Sequence, residues 1–160
     1  MSNLPHFDPL TGYLPPGLYR ATIPEIRDCL GFSTKRLQLI SALEQVAGAL
    51  FRAGVTDLRI DGSFVTEKPE PGDIDGFLVL DNQVRFADIP LILQDFSLVP
   101  DPAGGKPKFP MWFQFGIELY IHPLMGGFQV GDLPEFFSHS RDGIERGYIQ
   151  VIQESGREIS

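Results

Sequence analysis

Two short motifs near the middle of the chain carry residue types that bind phosphate and metal ions. The first is Gly62-Ser63, which follows a short apolar run. Glycine lets a phosphate approach the backbone closely, and serine offers it a hydroxyl and an N–H group. The second motif is Asp73 and Asp75, two positions apart at the start of another apolar run. Because alternate residues of a strand point to the same face, we expect these carboxylates to lie together and to suit Mg²⁺.

A third acidic residue, Glu118, interrupts a regular alternation of apolar side chains. Apolar residues stand at 113, 115, 117, 119 and 121, which predicts a strand over 113–122 with Glu118 on its polar face. A charged residue in such a strand is rarely buried without a partner. We therefore expect Glu118 to complete a metal site with Asp73 and Asp75. The alternative is a solvent-facing residue on an amphipathic strand.

Three lysines could contact a bound phosphate. Lys68 lies between the Gly-Ser turn and the two aspartates, so we expect it to reach a triphosphate. Lys106 and Lys108 flank a glycine-rich loop and could do the same. For each of them the alternative is an ordinary solvated position in a loop.

Other conspicuous residues have simpler explanations. We expect Trp112, among several phenylalanines, to belong to the hydrophobic core. Arg146 is expected to pair with the neighbouring Asp142 or Glu145. For His122 a structural hydrogen bond is the main hypothesis, and a catalytic role is the alternative.

The elements that must position these residues form a mixed α/β pattern. Thr22 and Glu25 have the spacing of a capping box, and apolar residues after Ser33 recur at steps of three and four. The first 24 residues hold five prolines and predict an extended, turn-rich arm packed along the domain. We predict helices over 25–30, from Ser33 to Gly54, over 88–96 and over 134–138, and strands over 55–60, 73–80, 113–122 and 148–152.

Length and composition restrict the class of protein. A chain of 160 residues predicts a single domain over 1–160. The net charge of −8 argues against a broad nucleic-acid surface, which needs clustered Lys and Arg. One cysteine excludes an intramolecular disulfide. We expect a cytoplasmic protein without a membrane span, because no apolar run approaches about 20 residues and the start is unlike a secretory signal.

The order and spacing of Gly62-Ser63, Asp73, Asp75 and Glu118 resemble the nucleotidyltransferase superfamily of the polymerase-beta type, in its minimal single-domain form. The blocks FDPLTGYLPPG, DGSFVTEKPEPGDID and ERGYIQVI are also similar to a family of small, poorly characterised bacterial and phage proteins of nucleotidyltransferase type. The resemblance implies a nucleotidyltransferase-like mixed β-sheet with flanking helices. Glu118 departs from it, since the usual third acid is Asp.

The resemblance also implies a reaction. It is the Mg²⁺- or Mn²⁺-dependent transfer of a nucleotidyl group, AMP from ATP, onto a hydroxyl of a protein or an RNA. Asp73, Asp75 and Glu118 would hold the metal, and Gly62 and Ser63 would position the nucleotide. Some minimal members are antitoxins that attach AMP to a partner protein, and the acidic charge favours a protein acceptor over RNA. The alternative is a non-catalytic binding module of the same fold, an antitoxin or a phage-encoded protein that grips a toxin-like partner.

Overall fold

A five-stranded mixed sheet with helices on one face forms the centre of the computed structural model, which describes residues 4–122 and 146–154. This confirms the predicted mixed α/β class. In sheet order the strands are β1, β5, β2, β3 and β4. The elements are β1 Leu18–Ala21, α1 Ile23–Leu30, α2 Thr34–Arg52, β2 Leu58–Asp61, β3 Ile74–Val79, α3 Pro110–Phe115, β4 Ile117–His122 and β5 Tyr148–Val151.

The sheet combines both kinds of pairing. Strand β2 runs antiparallel to β3 and to β5, whereas β3 pairs in parallel with β4, and β1 in parallel with β5. The chain therefore turns back between β2 and β3 through the segment that carries Gly62-Ser63. This turn brings the end of β2 beside the start of β3.

Local signals set the limits of the two long helices. Thr22 caps α1: its hydroxyl accepts from the Glu25 N–H at 3.3 Å, and the Glu25 carboxylate accepts from the Thr22 N–H at 2.9 Å. Ser33 caps α2 by accepting from the Arg36 N–H at 3.2 Å. Gly54 follows the end of α2 with a φ of +95°, a conformation that favours glycine. Both predicted helices are confirmed.

The two faces of the sheet differ in chemistry. The face against α1 and α2 is apolar and fully buried, and it includes Leu58, Ile60, Ile74, Leu78, Ile117, Leu119, Ile121, Ile149 and Val151. Because side chains alternate along a strand, the intervening residues lie on the opposite face. That face carries the acidic residues of β2, β3 and β4.

The proline-rich arm lies along the sheet edge and the loop after β2. Leu14 is buried in the core, and Leu18 of β1 pairs with Tyr148 of β5. The Gly12 carbonyl accepts from the Glu67 N–H at 3.0 Å. The arm thus contributes the edge strand β1, which its sequence did not predict.

Two predicted elements are wrong in their conformation. The predicted strand over 113–122 is a strand only from Ile117, because Pro110 begins a helical turn and Gly116, with a φ of +70°, ends it. The predicted helix over 88–96 is replaced by two 3₁₀ turns at Phe86–Asp88 and Leu91–Gln94, with the extended Pro90 between them. The predicted helix over 134–138 lies outside the described residues.

In the two described ranges, no helix has the length and apolar character that crossing a membrane would require.

Candidate active site

Three carboxylates form a row across three neighbouring strands of the sheet, β2, β3 and the edge strand β4. Asp61 of β2 lies opposite Asp75 of β3, and Asp75 lies opposite Glu118 of β4. Residues opposite each other on paired strands share a face, so all three side chains are on the face away from α1 and α2. Asp73, just before β3, adds a fourth carboxylate next to the row. We call these four residues the acidic row.

Asp75 is the centre of the acidic row. Burial, followed by the charges of Asp73 and Glu118, raises the pKa of Asp75 to about 8. The structure therefore brings Asp73 close to Asp75, and their roles stay a prediction.

Glu118 is half-buried and held from outside the row. One of its oxygens accepts from the Phe109 N–H at 2.7 Å. Burial raises the pKa of Glu118, although the bond from Phe109 and the positive charge of Lys108 act in the opposite direction. The side chain is therefore oriented at the row by the residues that lead into α3.

The Gly-Ser turn lies directly against Asp75. Gly62 has a φ of +82° and begins a 3₁₀ turn over Gly62–Val65. A Cβ atom at Gly62 would lie 2.8 Å from a carboxylate oxygen of Asp75, so only glycine lets the backbone pass this close. The structure thus brings Gly62 beside Asp75, and Ser63 is the next residue of the same 3₁₀ turn.

Arg36 holds the segment that follows this turn. Its guanidinium is fully buried and donates to the carbonyls of Phe64 at 2.7 Å, Thr66 at 2.5 Å and Lys68 at 2.7 Å. A further bond reaches the Leu30 carbonyl at the end of α1. Burial lowers the pKa of Arg36 to about 10. Sequence reasoning missed this residue, although Arg36 stands four positions before Ile40 on the apolar face of α2, where an arginine is conspicuous.

The lysines are placed differently from one another. Lys68 and Lys106 are exposed, and neither forms an ion pair within residues 4–122 and 146–154. Lys108 instead lies 3.6 Å from a carboxylate oxygen of Asp101, with its ammonium group 4.2 Å above the ring of Trp112. The predicted contact of Lys68 with a triphosphate stays a prediction.

Asp61 and Arg146 form a buried ion pair at the other end of the row. The Arg146 Nε atom lies 3.2 Å from one oxygen of Asp61, and Nη2 lies 3.5 Å from the other. Burial raises the pKa of Asp61 to about 7, against the lowering effect of the Arg146 charge. The acidic partners predicted for Arg146, Asp142 and Glu145, lie outside the described residues.

Arg36 is one of three residues of the site that the sequence did not single out; the others are Asp61 and Trp112. The predicted strand over 55–60 ends before Asp61, and the place of Asp61 in the row follows from the antiparallel register of β2 and β3. Trp112 was expected in the core. It is half-buried, and its indole N–H donates to Asp73 at 2.9 Å. The helical turn at Pro110–Phe115 makes this contact possible. The predicted strand began only at residue 113, so the prediction gave no sign of the contact.

The sequence also matches a known protein family over most of its length. A family model matches residues 5–152, which extend from the arm through β5 and include the whole acidic row. The chain belongs to the family of unknown function DUF6932. No curated protein and no solved structure matches the chain. The Gly-Ser turn, the acidic row and Arg36 therefore all lie within the residues that the DUF6932 model matches.

Two cavities lie away from the acidic row. One, of about 390 Å³, is between the arm and the end of α1, near Phe7 and Cys29. A second, of about 300 Å³, is between α1, α2 and the end of β5, near Pro24 and Phe51. None of the four carboxylates lines either of them.

The donor set has the chemistry that a divalent cation needs. Within the described ranges, no three His, Cys, Asp or Glu side chains are placed to hold a metal ion together as they stand. Asp73 nevertheless lies close to Asp75, and Glu118 lies opposite Asp75 on β4. Carboxylate oxygens are the ligands that Mg²⁺ and Mn²⁺ prefer. The chemistry of these donors therefore fits such an ion, whose positive charge would offset the repulsion between the crowded carboxylates.

Proposed function

We propose that this protein is a metal-dependent nucleotidyltransferase that moves AMP from ATP onto a hydroxyl group of a protein. The observation that carries the proposal is the contact of the Gly62 backbone with Asp75, with Asp73 beside it and Glu118 opposite it on β4. A turn suited to phosphate and a set of carboxylates suited to a cation meet at one point. Nucleotidyl transfer needs this combination, because the triphosphate must be held beside the ion that neutralises it.

The roles of the residues follow from their places. Asp73, Asp75 and Glu118 would hold Mg²⁺ or Mn²⁺, and the bound ion would neutralise charge on the phosphate oxygens. Gly62 and Ser63 position the triphosphate, and Lys68 reaches it from the exposed loop. The acceptor oxygen bonds to the α-phosphorus while the bond to the bridging oxygen breaks, and pyrophosphate leaves. Glu118 would serve as a ligand of the metal ion or as the base that accepts the proton of the acceptor hydroxyl.

The acceptor and the setting are part of the proposal. The net charge of −8 disfavours a broad RNA surface and favours a protein acceptor with a Tyr, Ser or Thr hydroxyl. A toxin-like partner protein fits this class, as for the antitoxins of the superfamily that the motif resembles. We place the reaction in the cytoplasm, where ATP is available.

A screen for pyrophosphate release tests the proposal. Each nucleoside triphosphate is supplied with Mg²⁺ or Mn²⁺, with and without candidate partner proteins. We expect release with ATP, and none from the double variant Asp73→Asn with Asp75→Asn. Asp28→Asn is the matched control, because it makes the same chemical change at an exposed position of α1. Equal release by the double variant and the unchanged protein would contradict the proposal.

Thermal unfolding separates this function from the binding-module alternative. A ligand that binds only the folded state raises the melting temperature. We expect Mg²⁺ with ATP to stabilise the protein, and the double variant to show no shift. A protein that melts at the same temperature with and without Mg²⁺ and ATP would instead support a module that only grips a partner.

A further inference from the structure

The first aspartate of the motif is held by a contact from another part of the chain. The indole Nε1 of Trp112 donates to the Oδ2 atom of Asp73 at 2.9 Å, across 39 positions of sequence. An indole has one N–H donor and no acceptor, so this bond has a fixed direction. It engages one oxygen of Asp73, Oδ2. Trp112 is the only tryptophan in the chain.

A cation lies above the same ring. The ammonium group of Lys108 is 4.2 Å from the ring centroid of Trp112 and is itself held by Asp101 at 3.6 Å. Lys108 is also fixed through its backbone, because it exchanges two hydrogen bonds with Val99 at 2.8 and 3.0 Å. A cation over the ring face favours one position of the indole and polarises its N–H group. Asp101, Lys108 and Trp112 therefore form a connected support for Asp73.

The same short segment supports a second acid of the row. The Phe109 N–H donates to Glu118 at 2.7 Å, and the Met111 sulfur accepts from the Leu119 N–H at 3.2 Å. These bonds attach the start of α3 to β4. Residues 108–112 thus orient both Asp73 and Glu118, from outside the row.

We infer that Trp112 is a positioning residue for metal binding: its indole N–H fixes the carboxylate of Asp73 in the orientation that receives the ion, with Lys108 holding the ring. This inference rests on the proposed function, since the ion is the one assigned to Asp73, Asp75 and Glu118. Groups that orient metal ligands typically change metal affinity or activity by about 10- to 100-fold when removed. Trp112 is therefore expected to matter for metal binding and little for folding.

The test compares Mn²⁺ binding by three variants, with electron paramagnetic resonance used to count the free ion. Trp112→Phe keeps an aromatic ring and removes the donor, so we expect Mn²⁺ to bind about 10- to 100-fold more weakly. Lys108→Met keeps the aliphatic stem and removes the charge above the ring. Loss of a positive charge near Glu118 would by itself favour Mn²⁺ binding, so the weaker binding that we expect, about two- to fivefold, reports the loss of support for the ring. Phe113→Leu is the control. The Phe113 ring lies edge-on to the Trp112 ring, with the two ring centroids 5.1 Å apart. Phe113 has no side-chain donor for Asp73, so the affinity for Mn²⁺ should stay within about twofold of the unchanged protein.

The fluorescence of Trp112 gives a second readout, because no other tryptophan contributes. Mn²⁺ should quench the emission of the unchanged protein, and quenching should be lost in Asp73→Asn with Asp75→Asn. Circular dichroism and urea unfolding check that each variant folds. If Trp112→Phe does not fold, Lys108→Met decides the question, since it leaves the ring of Trp112 in place and changes only the group above it.

Each outcome has one meaning. Weaker Mn²⁺ binding by Trp112→Phe and Lys108→Met, with Phe113→Leu unchanged, supports the inference. Equal Mn²⁺ binding by the unchanged protein, Trp112→Phe and Lys108→Met overturns it and leaves the proposed function standing. If the unchanged protein binds no Mn²⁺, the proposed function fails, and this inference fails with it.

Discussion

Replacing Asp75 by asparagine should stabilise the protein while removing its proposed function. In the folded state the pKa of Asp75 is about 8, against 3.8 for an ordinary aspartate. Between these two values the folded state holds a proton that the unfolded state has released, so the free energy of unfolding falls as the pH rises. Asparagine carries no ionisable proton, and its amide can donate to Asp73. The variant therefore avoids a cost that the natural residue imposes.

The size of the effect follows from the pKa difference. About four units at about 1.4 kcal/mol each set an upper limit of about 6 kcal/mol, reached above pH 8. Because the site can relax, we expect a gain of about 1–3 kcal/mol at pH 8.5. At pH 5, which is only about one pH unit above the unfolded value of 3.8, about a quarter of this gain should be present. For a chain of this length, about 1–3 kcal/mol corresponds to roughly 3–10 °C in melting temperature.

Urea unfolding at pH 5, 7 and 8.5 measures this gain. The difference between Asp75→Asn and the unchanged protein should widen with pH, and the midpoint of unfolding should move accordingly. Asp28→Asn provides the comparison, because its exposed carboxylate should give a small difference at every pH. A constant difference for Asp75→Asn, or a variant that is less stable at pH 8.5, would refute the reasoning about the acidic row.

Three other substitutions test individual features. Gly62→Ala combines a φ of +82° with a Cβ atom 2.8 Å from Asp75, so we expect the free energy of unfolding in urea to fall by about 1–3 kcal/mol. The fall should be larger than for Gly104→Ala, because Gly104 has a similar φ of +94° but open space around it. Arg36→Met leaves several buried carbonyls without their donor and should cost about 3 kcal/mol or more; a loss below about 1 kcal/mol would show that the guanidinium does not hold the loop. Thr22→Ala should cost about 1 kcal/mol in thermal unfolding, and an unchanged melting temperature would contradict the capping role.

Features encoded over short distances were predictable from the sequence. Helix α2 follows from its Ser33 cap and from apolar residues at steps of three and four, and β3 follows from a short apolar run after a Pro-Gly turn. The contact of Asp73 with Asp75 follows from the two-residue period of a strand. These signals lie within a few residues of the features that they determine.

Features that depend on distant parts of the chain were not predictable in the same way. Asp61 joins the acidic row only because β2 and β3 pair in one particular register. Strand β1 exists because the arm meets β5, about 130 positions away, and the short turns of the arm give no sign of it. Phe113 and Phe115 alternate as in a strand, yet Pro110 and Gly116 set the limits of a helical turn around them. That turn delivers Trp112 to Asp73.

The position of the label in ATP shows whether the protein transfers a nucleotidyl group. The protein is incubated with Mg²⁺, candidate acceptors and ATP labelled with ³²P at either the α or the γ phosphate. We expect label from the α position to become attached to an acceptor and label from the γ position to appear in pyrophosphate, and we expect Asp73→Asn with Asp75→Asn to abolish both. Transfer of the γ label to the acceptor, or α labelling that the double variant leaves unchanged, would contradict the proposed function.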